Sequence, residues 1–337
     1  MATKSALITG AAGQDGILLA DLLTAAGYQV WGFVRDGSSG LAMLRERVPS
    51  IKTVCGDIRD SEAVAVALRA AQPNEVYNLA AFSSVGRSWA LAQQVVEINT
   101  LAVVGLLDEL RSFRDETGRD VRFYQASSSE MYGTAAHSPQ TEETPFHPRS
   151  PYGVAKSAAH YMTVNYRESY DMFACSGILY NHESPLREPH FVTRKISMGV
   201  AAIAAGKADH LKLGNLDVSR DWGYAPDYVR AMWLMLQQDA PEDYIVASGR
   251  SRSLRAFLRV AFSCIGVDNW SDYVTSDEEL KRPAEVRGLV GDASKAKERL
   301  GWLPTASFED IVSTMVRHDL AATTQTSGPQ LRSGGRS

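Results

Sequence analysis

With 337 residues the chain is long enough to bury a large core, either as one large α/β domain or as two lobes. Its hydrophobic fraction of 45% and charged fraction of 22% are ordinary for a soluble protein, and a net charge of -4 gives no basic field for nucleic acid or an anionic membrane. Three cysteines, Cys55, Cys175 and Cys264, show neither pairing nor metal-ligand spacing, so a reduced, cytoplasmic setting is expected and no metal. Met1-Ala2-Thr3-Lys4 runs directly into a short apolar strand, and no apolar span of about 20 residues follows, so neither an export signal nor a membrane crossing is expected.

Ser5-Ala6-Leu7-Ile8-Thr9 reads as a buried parallel strand, followed by Gly10-Ala11-Ala12-Gly13-Gln14-Asp15-Gly16 and a helix with apolar Leu18, Leu19, Leu22 and Leu23. Strand, glycine turn and helix together predict a dinucleotide site. Gly10 permits the turn, Gly13 lets the backbone approach a pyrophosphate, Gly16 lets the helix pack closely, and the helix start, with Gln14 and Asp15, supplies amide donors. A plain turn is the competing reading of the glycines alone. A second strand over Val30 to Val34 ends at Arg35-Asp36, where an Arg favours the 2′-phosphate of NADP and an acid favours NAD. Arg35 at the strand end makes NADP the preferred cofactor, against an exposed turn of opposite charges.

Val54 to Ile58 reads as the end of a third strand, with Asp57 and Ile58 set to meet the adenine. After a helix over Glu62 to Ala71, Val76-Tyr77-Asn78-Leu79-Ala80-Ala81 is the fourth strand, and Leu79, Ala80 and Ala81 allow close approach of a cofactor. A fifth run, Val121 to Gln125, leads into Ala126-Ser127-Ser128-Ser129-Glu130. Next, Ser150 caps a helix that has Pro151 at its first position, which puts Tyr152 and Lys156 four apart on one face. An ammonium near a phenol favours the phenolate and makes Tyr152 a usable base. A Tyr-xxx-Lys pair alone is commonly solvated surface, and a surface or capping carboxylate is the competing reading of Glu130.

Strands alternating with helices predict an α/β fold, a doubly wound parallel sheet of Rossmann type whose ligands sit outside the strands' carboxyl ends. A smaller, mostly carboxyl-terminal substrate-binding α/β lobe completes it. Residues 1–180 are expected to form the dinucleotide domain, with about 215–250 returning to it, and 181–322 most of the substrate lobe. Tyr244 to Ser248 reads as a strand of that later lobe, Asp292 to Leu300 and Phe308 to Leu320 as surface helices. The tail 323–337 has too little apolar content to pack.

Thr9 to Gly16, Tyr77 to Ala81, Phe123 to Glu130, Pro148 to Gly153, Asn181-His182-Glu183-Ser184-Pro185, Phe191 to Ile196, Leu213 to Asp217 and Arg220-Asp221-Trp222-Gly223 together resemble the extended short-chain dehydrogenase/reductase family, and within it the GDP-mannose 4,6-dehydratase branch. The likeness runs from about Ser5 to Leu320. It implies that a GDP-hexose is oxidised at C4, loses water across C5 and C6, and is reduced at C6 by the same tightly held cofactor. By that resemblance Tyr152, Lys156 and Ser128 handle the C4 oxygen and Glu130 takes the C5 proton. Ser84, Glu130, Asn181, Val192, Lys195, Leu213, Gly214, Asn215 and Arg220 are then substrate contacts, with Arg282 on phosphate and Glu285 on ribose. A homodimer or homotetramer is implied.

The sequence departs from that pattern at several positions. Ser128 stands where Thr is usual, the Arg-rich stretch after the second strand is reduced to Arg35-Asp36-Gly37, Phe82 replaces a Gln, and Arg87 replaces a small residue. A GDP-heptose dehydratase, a nucleotide-sugar epimerase or reductase, and a non-catalytic NADP-sensing module are the alternatives; the four intact groups Ser128, Glu130, Tyr152 and Lys156 argue against the last. His182 reads as a core histidine or an acid, and Asp221 and Trp222 as structural or as ligand contacts.

Overall fold

The structure, a computed structural model, describes residues 3–277 and 288–325. The described residues fall into two compact units, one of 3–182, 219–251 and 288–305, the other of 183–218, 252–277 and 306–325.

The first unit is built on seven strands in the order Tyr244–Val246, Ala174–Leu179, Arg122–Ser128, Glu75–Asn78, Ser5–Thr9, Gln29–Val34, Lys52–Cys55. Every neighbouring pair is parallel, so all seven carboxyl ends lie on one edge. The chain leaves the first strand in one direction and returns on its other side at Glu75–Asn78, which makes the gap beyond Thr9 and Asn78 the switch point where such sheets bind ligands. A core joining Leu7, Phe33, Val76 and Phe123 to Val64, Leu68, Leu106, Leu110 and Tyr166 covers one face with the helices Ser61–Ala71, Ala102–Thr117 and Pro151–Tyr170. Near-continuous apolar strands such as the fully buried Ser5–Thr9 are what a sheet covered on both faces requires.

In the second unit the helices Val192–Ala204 and Phe308–Gln325 pack together, and Leu211–Leu213 pairs in parallel with Val274–Ser276. A buried ion pair of Arg194 with Asp319 joins the two helices, and Ser197 Oγ donates to Asp319 Oδ2 at 2.7 Å.

Several sequence expectations change. Tyr244–Val246 is the edge strand of the central sheet, paired with Ala174–Leu179, and not part of the smaller lobe. Residues 288–305 also belong to the first unit. Phe308–Gln325 is no surface helix, because Ile311, Val312, Met315 and Val316 form a buried stripe. It also runs through 323–325, where the tail was expected to begin, and Thr323 Oγ1 donates to Asp319 O as a helical residue would. The third strand stops at Cys55, leaving Asp57 and Ile58 in the loop beyond it. The remainder of the expected tail, 326–337, lies outside the described residues. Among the described residues no helix is long and apolar enough to cross a membrane.

Candidate active site

The glycine turn is packed differently at each of its three positions. Gly10 has φ +67°, a left-handed conformation that favours glycine, and a Cβ there would come within 2.7 Å of Ala80 N. At Gly16 a Cβ would meet Gly10 O at 2.5 Å, so the helix can pack on the turn only without a side chain. Gly13 is different: the nearest protein atom to its Cβ position is Gly10 O at 3.4 Å, and its bareness serves no contact within the chain. Gly13 also caps Gln14–Ala25 with no side-chain hydrogen bond, whereas Asp60, Ser150 and Ser253 cap their own helices. An uncapped helix start beside a backbone kept clear of side chains fits a dinucleotide diphosphate. The side chains of Gln14 and Asp15 turn elsewhere: Asp15 Oδ2 lies 2.8 Å from His182 Nε2, and Gln14 Nε2 donates to Asp15 Oδ1 and His182 O. His182 stacks on Tyr228 with ring centroids 4.6 Å apart, so it is a packed, hydrogen-bonded histidine.

Pro151–Tyr170 begins as its sequence requires, with Ser150 Oγ accepting from Gly153 N at 3.0 Å and Pro at the start. Its buried face lies on the end of Arg122–Ser128. Lys156 is 3% exposed, donates to Ala126 O at 2.9 Å, and has Nζ 5.9 Å from the centre of the Tyr152 ring. Burial pushes the Lys156 ammonium down to about 8. One turn further on, His160 Nδ1 lies 3.2 Å from Ser127 Oγ, and burial lowers its pKa.

Ser128 ends the strand, and its Oγ accepts from Glu130 N at 3.2 Å in the short helical turn Ser129–Met131. A Cβ at Gly153 would sit 2.6 Å from Glu130 O, so the glycine beside Tyr152 is what lets the Glu130 backbone come so close. Ser128, Glu130, Tyr152 and Lys156 are thus brought together at one end of one strand. Phe82 and Val85 pack against Tyr152, Val95 and Ala155. Their loop is held by Asn99, which is 1% exposed; its amide accepts from Phe82 N at 2.7 Å and donates to Phe82 O at 3.0 Å. Asn99 lies in the wide turn Glu97–Leu101, a π-type interruption between two helical segments of the kind often found near functional sites.

At the outer end of the edge, Asp57 binds Arg59 through two hydrogen bonds of 2.9 and 2.7 Å, which holds its carboxyl down at about 2, with Arg35 adding to the same effect. Asp36 Oδ1 accepts from Gly37 N. Arg59 was not singled out in the sequence, although it stands two residues past Asp57; nothing in the sequence marks Asn99, because its partner is seventeen residues away in a loop. Arg220 is 8% exposed, and Asp221 accepts from Ser248 N, Ser248 Oγ and Gly249 N, a structural pin.

In the second unit Val192 and Lys195 open their helix, partly exposed, while Leu213 is a core side chain 1% exposed. Gly214 O accepts from Ser276 Oγ, and Asn215 Oδ1 from Asp217 N. Arg282 and Glu285 lie outside the described residues.

Residues 7–315 match the family model described as GDP-mannose 4,6 dehydratase. The chain belongs to the GDP-mannose 4,6-dehydratase family. It is 46% identical over 326 residues to GDP-mannose 4,6 dehydratase 1 of Arabidopsis thaliana, covering 94% of this chain and 90% of that one. To GDP-mannose 4,6 dehydratase of Homo sapiens it is 43% identical over 340 residues, covering 94% and 91%. Among solved structures, UDP-glucose 4-epimerase of Thermus thermophilus in complex with NAD matches with a TM-score of 0.82 at 26% identity, over 94% of this chain and 99% of that one.

Proposed function

We propose that the protein converts GDP-mannose to GDP-4-keto-6-deoxymannose. The observation that carries this reading is Glu130: its backbone lies against Gly153 of the helix that holds Tyr152 and Lys156, and a carboxylate at that position serves an elimination, which a simple reductase or epimerase does not perform. A bound nicotinamide supplies the chemistry of accepting a hydride from C4 and returning it to C6.

The chain's own groups move protons. Tyr152, as phenolate, takes the proton of the C4 hydroxyl, and Ser128 Oγ hydrogen-bonds the same oxygen. Lys156, fixed on Ala126 O close to the Tyr152 ring, favours the phenolate. The C4 ketone acidifies the C5 proton, which Glu130 removes; protonated Glu130 then gives that proton to the departing C6 hydroxyl, and water leaves. As the hydride returns to C6, C5 takes up the proton that Tyr152 removed from the C4 hydroxyl, which restores the phenolate, so atoms balance and no cofactor is consumed over the cycle.

NADP is the cofactor that Arg35 at the end of the second strand favours, while the Asp36 carboxylate is held by the Gly37 amide. A homodimer accounts for three exposed apolar side chains, Leu101, Val154 and Tyr161, at the turn Glu97–Leu101 and along the neighbouring helix Pro151–Tyr170. Incubation with GDP-mannose is expected to give a product lighter by one water, with no net change in NADPH absorbance. Stoichiometric NADPH consumption without loss of water would mark a reductase and refute the proposal.

A further inference from the structure

A row of buried polar side chains crosses the middle of the sheet just beneath the site. Thr9, Asn78 and Gln125 stand opposite one another on three adjacent strands, and each is 1% exposed. Buried amides in a sheet interior are costly unless their hydrogen bonds are made. Here they are made head to tail. Ala80 N donates to Thr9 Oγ1 at 3.2 Å, and Thr9 Oγ1 donates to Asn78 Oδ1 at 2.6 Å. Asn78 Nδ2 donates to Gln125 Oε1 at 2.8 Å, and Gln125 Nε2 donates to Ala126 O at 3.0 Å. Ala126 O is also the acceptor for Lys156 Nζ, so both donors converge on one carbonyl.

Every bond in this row points the same way, from the loop against the glycine turn to the carbonyl that holds the lysine. Bonds aligned in this sense polarise one another. One end starts at the amide of Ala80, whose backbone lies where a Gly10 Cβ would be, and the other ends at the strand carbonyl that accepts from Lys156. Apolar side chains in the three positions would fill the same space without that link, so packing alone does not account for two amides and a hydroxyl in register.

We propose that Thr9, Asn78 and Gln125 are positioning residues that set Ala126 O, and through it Lys156, relative to the cofactor loop at Ala80. The inference rests on the reading of Lys156 as a catalytic group. Gln125 reaches the reaction only through that lysine.

The test is a double-mutant cycle on turnover of GDP-mannose with Gln125→Met, Lys156→Met and both. Gln125→Met keeps the bulk but donates nothing. Its kcat is expected to fall about tenfold or more, the value of one buried hydrogen bond, with KM within about threefold. In the Lys156→Met background the same change is expected to cost less than about twofold. Losses that multiply independently, or a kcat for Gln125→Met within about twofold of wild type, would overturn the proposal. Thr9→Val, nearly isosteric, is expected to lower kcat in the same direction while Thr9→Ser preserves it, which covers the case in which Gln125→Met does not fold. Hydrogen exchange at the Ala80 amide gives a readout free of catalysis: Gln125→Met, three hydrogen bonds along the row, is expected to raise its rate, and an unchanged rate contradicts a continuous chain. Wild type that exchanges as expected but does not dehydrate GDP-mannose would refute the functional reading and leave the chain to be judged by exchange alone.

Discussion

Two helices of the first unit, Gln14–Ala25 and Pro151–Tyr170, begin in opposite ways. The first starts at Gly13 with no side-chain cap, on a turn where Gly13 leaves the backbone open. The second starts at Ser150, whose hydroxyl takes the Gly153 amide, with proline locking the first turn. An open start forgoes about 1 kcal/mol of capping and keeps its donors for a ligand. A closed start gains rigidity, and it fixes the helix that carries Tyr152 and Lys156, the proposed proton-transfer groups. Binding is assigned to the open end and proton transfer to the closed one.

That division predicts effects of different kinds. Tyr152→Phe is expected to lower kcat by about a hundred- to ten-thousandfold, the range for a lost acid or base, while NADPH affinity measured by fluorescence titration stays near wild type. Gly13→Ala is expected to weaken NADPH binding by about tenfold or more at nearly unchanged melting temperature, because its Cβ meets no protein atom closer than 3.4 Å. Gly16→Ala should do the reverse first, lowering stability by about 1–3 kcal/mol in a denaturant titration, since its Cβ would press on Gly10 O at 2.5 Å. Equal stability losses in the two alanine variants would erase the distinction between them. Ser150→Ala is expected to lose about 1 kcal/mol of stability, with the larger share of any activity loss in kcat.

A further effect concerns pH. Burial depresses Lys156 from 10.5 to about 8, so between those values the unfolded chain holds a proton that the folded chain has released. Stability from this group therefore rises with pH through that window, and below about 8 the folded state bears the full penalty of the buried ammonium. Denaturant midpoints taken across that range should show the rise in wild type and a flatter profile in Lys156→Met.

The features that were legible in the sequence are those written in local chemistry. The glycine turn announces itself by three glycines between an apolar strand and an apolar-periodic helix, and the helix start at Ser150-Pro151 by a cap and a proline side by side. Tyr152 and Lys156 needed only the period of a helix. What was missed depends on strand order and register. The Thr9, Asn78 and Gln125 row exists because three strands far apart in sequence lie side by side. Asn99 has meaning only with the loop at Phe82 folded over it. Tyr244–Val246 is three residues long, too short for its own pattern to say which sheet it joins. Phe308–Gln325 looked like a surface helix because its polar face dominates the sequence, while its buried stripe is satisfied within the second unit.

The central claim is that one hydride leaves and returns to the same sugar while Glu130 removes the proton between. GDP-mannose deuterated at C4 tests it most directly. The predicted product, read by mass spectrometry and NMR, carries the deuterium at C6 with no net reduced cofactor. Deuterium kept at C4, or lost to free cofactor, would contradict it.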